Sequence, residues 1–400
     1  MDNKINTQKR NQMFSNQAAV VSLNFPARCL DSIKGSKTDS RFVVGSASIH
    51  ETNELVVLRL HSELNELGID ARLDHPTGPV GALATSPSDK TLILTATERS
   101  YSVNLWRAPT EAVDRMDDLE YSPEGDVGAV ESPAPVEQEL EQVATFNHDI
   151  ESQVESIVWR ETSFEDAGVP GEMVSMDRQG KLTQWDITTA QAVRSDSVSK
   201  ANELTPSRVA WDPHNASAVC ATAGSCVEIR DWRADTSMPQ GTVSSIRAHK
   251  HGVVDIDYNP NKPHVLATAG VDGLLKFWDL RSQRRPLLSA RGGHAHYAWN
   301  VQYNPFHDQL VLSSGTDSAV NLWRVSTISS APLLTIDDEA NQEKSETSAA
   351  NVRVARYEHA DSVYGMAWSS ADAWVYATLA YDGKVALNHV PSKEKYKILL

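Results

Sequence analysis

The stretch VDGLLKFWDL at residues 271–280 decides the fold, because five other stretches of the chain repeat its pattern. It joins the tight-turn pair Asp272-Gly273 to an alternation of apolar side chains that ends in Trp278-Asp279. Such alternation places one set of side chains on one face of a β-strand and predicts a repeated strand unit. The related stretches are RSYSVNLWRA (99–108), RQGKLTQWDI (178–187), TDSAVNLWRV (316–325) and, more weakly, CVEIRDWR (226–233) and YDGKVALNHV (381–390).

The spacing of the tryptophan position identifies the repeat. The three intervals between residues 185 and 323 are 45, 48 and 45 residues, and the two longer intervals contain the acidic stretches 111–142 and 337–349. A repeat of about 40–45 residues that ends in Trp-Asp is typical of a WD-repeat β-propeller, in which each unit is a four-stranded sheet. The positions are 106, 185, 230, 278, 323 and 388, where Arg230 and Asn388 replace tryptophan.

A second repeated pattern, which includes residues other than the tryptophan, supports this interpretation. A histidine, a hydroxyl residue, an aspartate and the tryptophan position recur with separations of 19, 4 and 6 residues. In WD-repeat families such residues often form a buried polar chain, and the resemblance implies that tryptophan donates to the hydroxyl, the hydroxyl to histidine, and histidine to aspartate. We therefore expect these histidines to be structural. The three sets are His249, Thr268, Asp272 and Trp278; His294, Ser313, Asp317 and Trp323; and His359, Thr378, Asp382 and Asn388.

These patterns predict an all-β fold, a seven-bladed WD-repeat β-propeller with acidic disordered loop insertions. Six units follow from the repeat, and residues 18–73 supply strand-like segments for a seventh, although six or eight blades would also fit. The final segment KYKILL (395–400) alternates apolar side chains, so we expect it to be the outer strand of the last blade. The first and last blades would then close the ring by packing, without exchanging a strand.

Charge and composition set the domain organisation. Residues 1–12 are expected to be a flexible tail and residues 13–400 a single propeller domain. Within it, 111–142 holds eleven acids and one base and 337–349 five acids and one base, which supply −14 of the net charge of −16. High charge with few apolar side chains predicts disordered loops. The acidic balance argues against nucleic acid as a partner, because phosphate binding needs a basic surface.

Composition also bears on compartment. No apolar stretch reaches the roughly 18–20 residues of a membrane-spanning helix, and the polar start MDNKINTQKRNQ lacks the apolar core of a secretion signal. The cysteines Cys29, Cys220 and Cys226 contain no C-x-x-C pair, so neither a disulfide framework nor a structural zinc site is expected. These features predict a cytoplasmic protein without direct membrane insertion.

Longer phrases give a closer resemblance. They are VRVARYEHADSVYGMAWSSADAWVYATLAYDGKVALNHVPSKEKYKILL at 352–400, AHKHGVVDIDYNPNKPHVLATAGVDGLLKFWDLRS at 248–282, HAHYAWNVQYNPFHDQLVLSSGTDS at 294–318 and LNFPARCL at 23–30. The chain is similar here to the EARP and GARP complex-interacting protein family. These proteins are WD-repeat partners of the endosome-associated recycling protein (EARP) and Golgi-associated retrograde protein (GARP) tethering complexes.

The resemblance implies a non-enzymatic adaptor that binds tethering-complex subunits and supports endosomal recycling and endosome-to-Golgi retrograde transport. Such a protein would lie peripherally at the trans-Golgi network and recycling endosomes, would be monomeric outside the complex, and would need no cofactor or small-molecule substrate. We predict partner contacts at Tyr297, Trp299 and Tyr364, because aromatic side chains dominate binding hot spots. Ordinary packing between blades is the alternative role for these rings.

Two other functions are open to the sequence. Trp278-Asp279-Leu280-Arg281 matches the short WDxR element by which some WD-repeat proteins dock on a cullin-type ubiquitin ligase, which would make the chain a substrate-receptor adaptor. His294-x-His296 has the spacing of a metal pair on one strand face, but no third ligand is evident. No phosphate-binding glycine loop or G-x-S-x-G motif supports an enzyme.

Overall fold

The strands of the chain form one ring of radially arranged sheets. In the residues that the structure, a computed structural model, describes, the strands assemble into seven sheets. The innermost strand of each sheet contacts the innermost strands of both neighbouring sheets, all the way round. The predicted seven-bladed β-propeller is confirmed. The described residues are 19–61, 65–98, 100–114, 136–148, 151–160, 171–198, 205–232, 242–331 and 351–399.

Blades 1 to 4 come from the first part of the chain, and each runs from an innermost to an outermost strand. Blade 1 contains β2 (Ala27–Ser32), β3 (Arg41–Ser46), β4 (Asn53–His61) and β5 (Glu66–His75), and blade 2 contains β6 (Val80–Thr85), β7 (Leu92–Thr97), β8 (Ser102–Arg107) and β10 (Glu141–Asn147). Blade 3 contains β11 (Val154–Trp159), β12 (Glu172–Asp177), β13 (Lys181–Asp186) and β14 (Gln191–Ser197), and blade 4 contains β15 (Val209–Trp211), β16 (Ala218–Ala223), β17 (Cys226–Asp231) and β18 (Thr242–Arg247).

Blades 5 to 7 carry the strongest repeat and have the same order of strands. Blade 5 contains β19 (Val253–Tyr258), β20 (Val265–Gly270), β21 (Leu275–Asp279) and β22 (Leu288–Ala290), and blade 6 contains β23 (Ala298–Tyr303), β24 (Leu310–Gly315), β25 (Ala319–Val325) and β26 (Asn351–Glu358). Blade 7 contains β27 (Val363–Trp368), β28 (Val375–Ala380), β29 (Lys384–His389) and β1 (Ala19–Ser22).

The hydrophobic core lies between blades. The second strands β20, β24 and β28 are buried at every residue, because both of their faces pack against a neighbouring blade. One apolar cluster, for example, joins Phe277 of blade 5 to Val301 and Trp323 of blade 6. Each sheet therefore depends on its neighbours for burial.

Carboxylates on the innermost strands connect consecutive blades. Asp255 in β19 accepts a hydrogen bond from the amide of Val301 in β23 at 2.9 Å, and Asp257 accepts one from the amide of Tyr303 at 2.7 Å. Between blades 1 and 2, Asp31 accepts the amide of Thr85 at 2.9 Å. These aspartates satisfy backbone donors at the blade junctions and hold the ring together.

The ring closes by exchanging a strand, so the expected closure by packing alone was wrong. Strand β1 pairs antiparallel with β29, with Ala19 opposite Leu387 and Ser22 opposite Lys384, and forms the outer strand of blade 7. The KYKILL segment does not form that strand. Most of it lies in helix α2 (Ser392–Leu399), whose first turn begins with hydrogen bonds from the amides of Glu394 and Lys395 to the Pro391 carbonyl. Because β1 already occupies the edge of blade 7, the C-terminal residues have no strand partner there.

The acidic stretch 111–142 is not a loop throughout. Its first residues lie in helix α1 (Thr110–Val113), where Ala112 and Val113 pack in the core between blades. Strand β9 (Val136–Glu139) pairs parallel with β5 as a fifth strand of blade 1, and β10 begins at Glu141. Both ends are ordered because they supply apolar contacts or strand pairing. Residues 115–135, the stretch 337–349 and the tail 1–12 lie outside the described residues. In the described part of the chain, no helix is long and apolar enough to cross a membrane.

Candidate partner-binding site

The seven innermost strands surround a channel of about 810 Å³. We call the face where these strands begin the upper face and the face where they end the lower face. The channel wall carries both signs of charge: Arg208 lies 4.0 Å from Asp255, and Glu155 on the wall lies 3.7 Å from Arg178 outside it. Burial raises the pKa of Asp255, and the positive charge of Arg208 opposes that shift. These pairings make the channel polar, with positive and negative side chains that largely neutralise one another.

An aromatic cluster lies at the upper end of this channel. Trp299 near the start of β23 and Tyr364 near the start of β27 meet edge to face, with ring centroids 5.0 Å apart. Tyr381, in the turn after β28, meets Tyr364 at 5.8 Å. Trp299 and Tyr364 are half-buried, and Tyr381 is exposed. The structure thus brings together two of the three predicted partner-binding residues and adds Tyr381.

Arg28 completes this cluster and was missed by the sequence analysis. Its guanidinium carbon lies 5.3 Å from the ring centroid of Tyr381 and 5.7 Å from that of Tyr364. Its Nη1 donates one hydrogen bond to Glu98 at 3.2 Å. The other guanidinium donors have no hydrogen-bond partner among the described residues. The cluster formed by Arg28, Glu98, Trp299, Tyr364 and Tyr381 is called the rim cluster below.

Tyr297 lies apart from the rim cluster. Its ring stacks on His296 with centroids 4.3 Å apart and is 39% exposed. His296 in turn is hydrogen-bonded through Nδ1 to the Thr316 hydroxyl. The exposed Tyr297 is therefore a separate aromatic feature on the upper face.

The polar sets predicted in blades 5 and 6 are connected by hydrogen bonds. In blade 5, His249 contacts Asp272 through Nδ1 at 2.8 Å and Thr268 through Nε2 at 2.9 Å, while Trp278 donates to the Thr268 hydroxyl at 3.1 Å. A Cβ at Gly270 would lie 2.2 Å from His249 Nδ1, so only glycine leaves room for this contact.

Blade 6 repeats this arrangement. His294 contacts Asp317 at 3.0 Å and Ser313 at 2.8 Å, and Trp323 donates to Ser313 at 2.9 Å. Burial lowers the pKa of His294, although the hydrogen bond to Asp317 acts in the opposite direction. A neutral histidine fits its role as a link between a hydroxyl and a carboxylate.

Blade 7 has a shorter chain. His359 lies 2.9 Å from the hydroxyl of Thr378, but Asp382 forms its close contact with Lys384, at 2.6 Å. Asn388, in the tryptophan position, is buried. Of the predicted set in this blade, the structure therefore joins only the histidine and the hydroxyl through a direct hydrogen bond.

Two further chains were not among the predicted sets. In blade 2, His75 and Trp106 both reach Thr95, at 2.9 and 2.8 Å. In blade 3, His148 and Trp185 both reach Ser175, at 3.0 and 2.8 Å. Their histidines precede the hydroxyl residues by 20 and 27 positions rather than 19, which is why the spacing rule did not pair them.

The described residues contain no group of three or more histidine, cysteine, aspartate or glutamate side chains placed to hold a metal ion. Both ring nitrogens of His294 are already engaged in blade 6. Burial raises the pKa of Cys29, which lies on the channel wall, to about 12. A thiol so rarely ionised is a poor nucleophile.

The WDxR element lies at the lower end of β21. Asp279 accepts two hydrogen bonds from the guanidinium of Arg281, at 3.0 and 2.9 Å, and the Arg281 side chain is 69% exposed. Trp278 is buried in the polar chain of blade 5. Only the arginine of this element is therefore widely accessible.

Comparison with known proteins gives one family. The family model described as EIPR1 beta-propeller matches residues 15–323. The chain is 32% identical to "EARP and GARP complex-interacting protein 1" of Rattus norvegicus and of Homo sapiens, in each case over 95% of this chain and 98% of the relative. It is 31% identical to "WD repeat-containing protein DWA2" of Arabidopsis thaliana, over 92% of this chain and 95% of that protein. The chain belongs to the EIPR1 β-propeller family.

Proposed function

We propose that this chain is a non-enzymatic adaptor that binds the EARP and GARP tethering complexes and supports endosomal recycling and endosome-to-Golgi retrograde transport. The proposal is supported by relatives whose names state interaction with these complexes and whose similarity covers nearly the whole chain. In this proposal the protein is cytoplasmic, is monomeric when free, and lies peripherally at the trans-Golgi network and recycling endosomes through its protein partners.

The rim cluster is the observation that carries the proposed binding mode. Arg28 is held by two tyrosine rings and by Glu98, yet most of its donors remain available. An arginine fixed in this way loses little side-chain entropy when it pairs with a partner carboxylate. Trp299 and Tyr364 supply aromatic area beside it, as in binding hot spots. Tyr297 is a further contact on the same upper face.

Binding of purified EARP and GARP to the purified chain tests this proposal. We expect Trp299→Ala and Arg28→Glu each to weaken binding at least tenfold, because one removes aromatic area and the other reverses the rim charge. Tyr101→Ala is the matched control, because Tyr101 is 45% exposed in the turn between β7 and β8 of blade 2, on the same face. Arg28 is also exposed, so Arg28→Glu should leave the melting temperature nearly unchanged.

Two outcomes would contradict the rim as the binding site. One is undiminished binding by both variants at wild-type stability. The other is an equal loss in the Tyr101→Ala control, which would indicate a non-specific effect of altering the upper face.

A second candidate is docking on a cullin-type ubiquitin ligase through the WDxR element. The observation that favours it is the exposed Arg281, oriented by Asp279. Arg281→Ala should then abolish binding of a purified ligase adaptor subunit and leave tether binding unchanged. Binding of the ligase subunit at the same affinity by wild type and Arg281→Ala would exclude this docking mode.

A further inference from the structure

The lower face carries a second aromatic feature where blades 6 and 7 meet the C-terminal helix. Trp374, between β27 and β28, stacks on His307, between β23 and β24, with ring centroids 4.6 Å apart. Trp374 has a second neighbour, Lys395 in α2, whose Nζ atom lies 5.2 Å from the Trp374 ring centroid. Contacts between side chains thus connect two blades and the helix.

Exposed apolar side chains flank this stack. Phe306, next to His307, is 45% exposed, and Tyr396 and Leu399 in α2 are 61% and 56% exposed. Single exposed apolar residues are common on soluble proteins, but a connected group of them marks an interaction surface. We call the residues Phe306, His307, Trp374, Lys395, Tyr396 and Leu399 the lower patch.

The helix that bears half of this patch is anchored. Glu394 is buried and accepts hydrogen bonds from Arg324 of β25 and from Lys397, the latter at 2.7 Å. Ile398, one turn later, packs against the core between blades 6 and 7. Because these residues face inward, Lys393 and Tyr396 face solvent on a fixed surface.

The charge of this surface differs from that of the whole chain. The sequence of α2 holds three lysines and one glutamate, and that glutamate is already paired. Lys393, Lys395 and Lys397 outnumber Glu394 and the exposed Asp372 near Trp374, so the surface of α2 carries a local excess of positive charge in a protein of net charge −16. An acidic ligand segment would be attracted by the nearby lysines. Repulsion from the distant acidic residues would be screened by salt, whose screening length is about 8–10 Å.

We propose that the lower patch is a docking site for an acidic segment of a protein partner that also carries aliphatic or aromatic side chains. The aromatic stack and the exposed Tyr396 and Leu399 would contact its apolar side chains, and Lys393 and Lys395 its carboxylates. An anionic membrane is disfavoured as the occupant, since a broad charged surface would repel the acidic chain as a whole. This site lies on the face opposite the rim cluster, so an adaptor could engage both at once.

Fluorescence anisotropy with designed peptides tests the proposal. The probe is a labelled peptide of about 15 residues in which Asp and Glu alternate with Leu and Phe, together with one twin in which lysine replaces the acids and one in which serine replaces the apolar residues. The full chain should bind the first peptide and neither twin. Tyr396→Ser and Lys393→Glu should each raise its dissociation constant at least tenfold. Both residues are exposed, so neither change should alter the melting temperature.

Lys250→Glu is the control, because Lys250 is exposed on the upper face before β19. It should leave peptide binding unchanged. Equal binding of the acidic and lysine peptides, or unchanged binding by both Tyr396→Ser and Lys393→Glu, would overturn the proposal. So would a chain that fails to bind the peptide but associates with phosphatidylserine vesicles through Tyr396 and Lys393, because the occupant would then be a lipid surface.

Discussion

Blades 4 and 5 occupy neighbouring positions in the ring but fill the same interior position in opposite ways. In blade 5, Trp278 ends a hydrogen-bonded chain through Thr268 and His249. In blade 4, Arg230 takes the tryptophan position, is buried, and bonds to Asp196 at 3.0 Å and Glu228 at 2.8 Å.

The comparison shows what the position requires. In blades 4 and 5 it holds a long side chain whose charge or donor is paired, because an unpaired buried donor or charge is costly. A tryptophan donor with a hydroxyl acceptor meets that need, and so does a guanidinium with two carboxylates. Blade 1 uses a related solution, in which Asp70 lies between the guanidiniums of Arg59, at 3.2 Å, and Arg41, at 3.8 Å.

The largest expected effect comes from removing the blade 4 arginine. Arg230→Met replaces the arginine by an apolar side chain of similar length and leaves Asp196 and Glu228 without their cation. Removing one partner of a buried ion pair costs about 3–5 kcal/mol, so we expect urea unfolding to show a loss of that size. The control is Arg281→Met, because Arg281 pairs with Asp279 at the surface and should cost less than about 1 kcal/mol. Equal losses for both variants would contradict the role of the buried pair.

The next effect tests the hydrogen-bonded chain in blade 5. Thr268→Val preserves shape but removes the hydroxyl that contacts both His249 and Trp278. Leaving buried polar groups unsatisfied costs about 1–3 kcal/mol each, and we expect a total loss of about 2–3 kcal/mol in the free energy of unfolding. Thr268→Ser retains the hydroxyl and should recover most of it. A Val variant as stable as wild type would show that the chain contributes no stability.

Blade 7 offers a smaller version of that change. Thr378 contacts the side chain of His359, but the tryptophan position holds Asn388, so Thr378→Val removes one side-chain hydrogen bond fewer than Thr268→Val does. We expect a loss of about 1–1.5 kcal/mol, measured in the same unfolding experiment. A loss as large as that in blade 5 would mean that the number of side chains in the hydrogen-bonded set does not determine the loss of stability.

The smallest effect is the dependence of stability on pH. Burial lowers the pKa of His294 in blade 6, near Asp317, Arg353 and Arg356. As the pH falls, the unfolded state therefore binds a proton before the folded state does, at about pH 6.5. The free energy of unfolding should fall as the pH drops from about 7 to about 5, and this residue should contribute roughly 1 kcal/mol per pH unit or less. The unfolding free energy of His294→Gln should have a shallower slope over that range. An unchanged slope would contradict a neutral His294 in the folded state.

The sequence predicted blades 5 and 6 well because their polar chains keep one spacing. His249 to Thr268 and His294 to Ser313 are both 19 residues apart, so the chain itself records which residues meet. The repeat interval located blade 4, but the sequence did not explain why arginine replaces tryptophan there. The reason is that Asp196, a carboxylate that pairs with Arg230, belongs to a different blade.

The rim cluster was only half predictable for a similar reason. Trp299 and Tyr364 were predicted from the sequence, and they occupy equivalent repeat positions, five residues after His294 and His359. Arg28 and Glu98 are 70 residues apart and meet only because blades 1 and 2 adjoin at the rim. No local pattern records such a contact.

Ring closure was predicted wrongly because both chain ends contain alternating apolar residues. The segments 18–24 and 395–400 each read as a strand, and blade 7 has one open edge. Strand β1 takes that edge, while Pro391 and the buried contact of Glu394 with Arg324 favour a helix at the C-terminus.

The most direct measurement of the closed ring is a cysteine cross-link across its closing strands. Val20 lies directly opposite Ala386 in the β1–β29 pair. Opposed residues in antiparallel strands are close enough for a disulfide. Burial raises the pKa of both Cys29 and Cys220, and replacing the partly buried Cys226 by serine removes the remaining native thiol from competition. Under mild oxidation, Val20→Cys combined with Ala386→Cys should give an intramolecular disulfide, identified by peptide mass mapping, and a higher melting temperature. Free thiols at both positions, or disulfides only between molecules, would contradict a ring closed by the N-terminal strand.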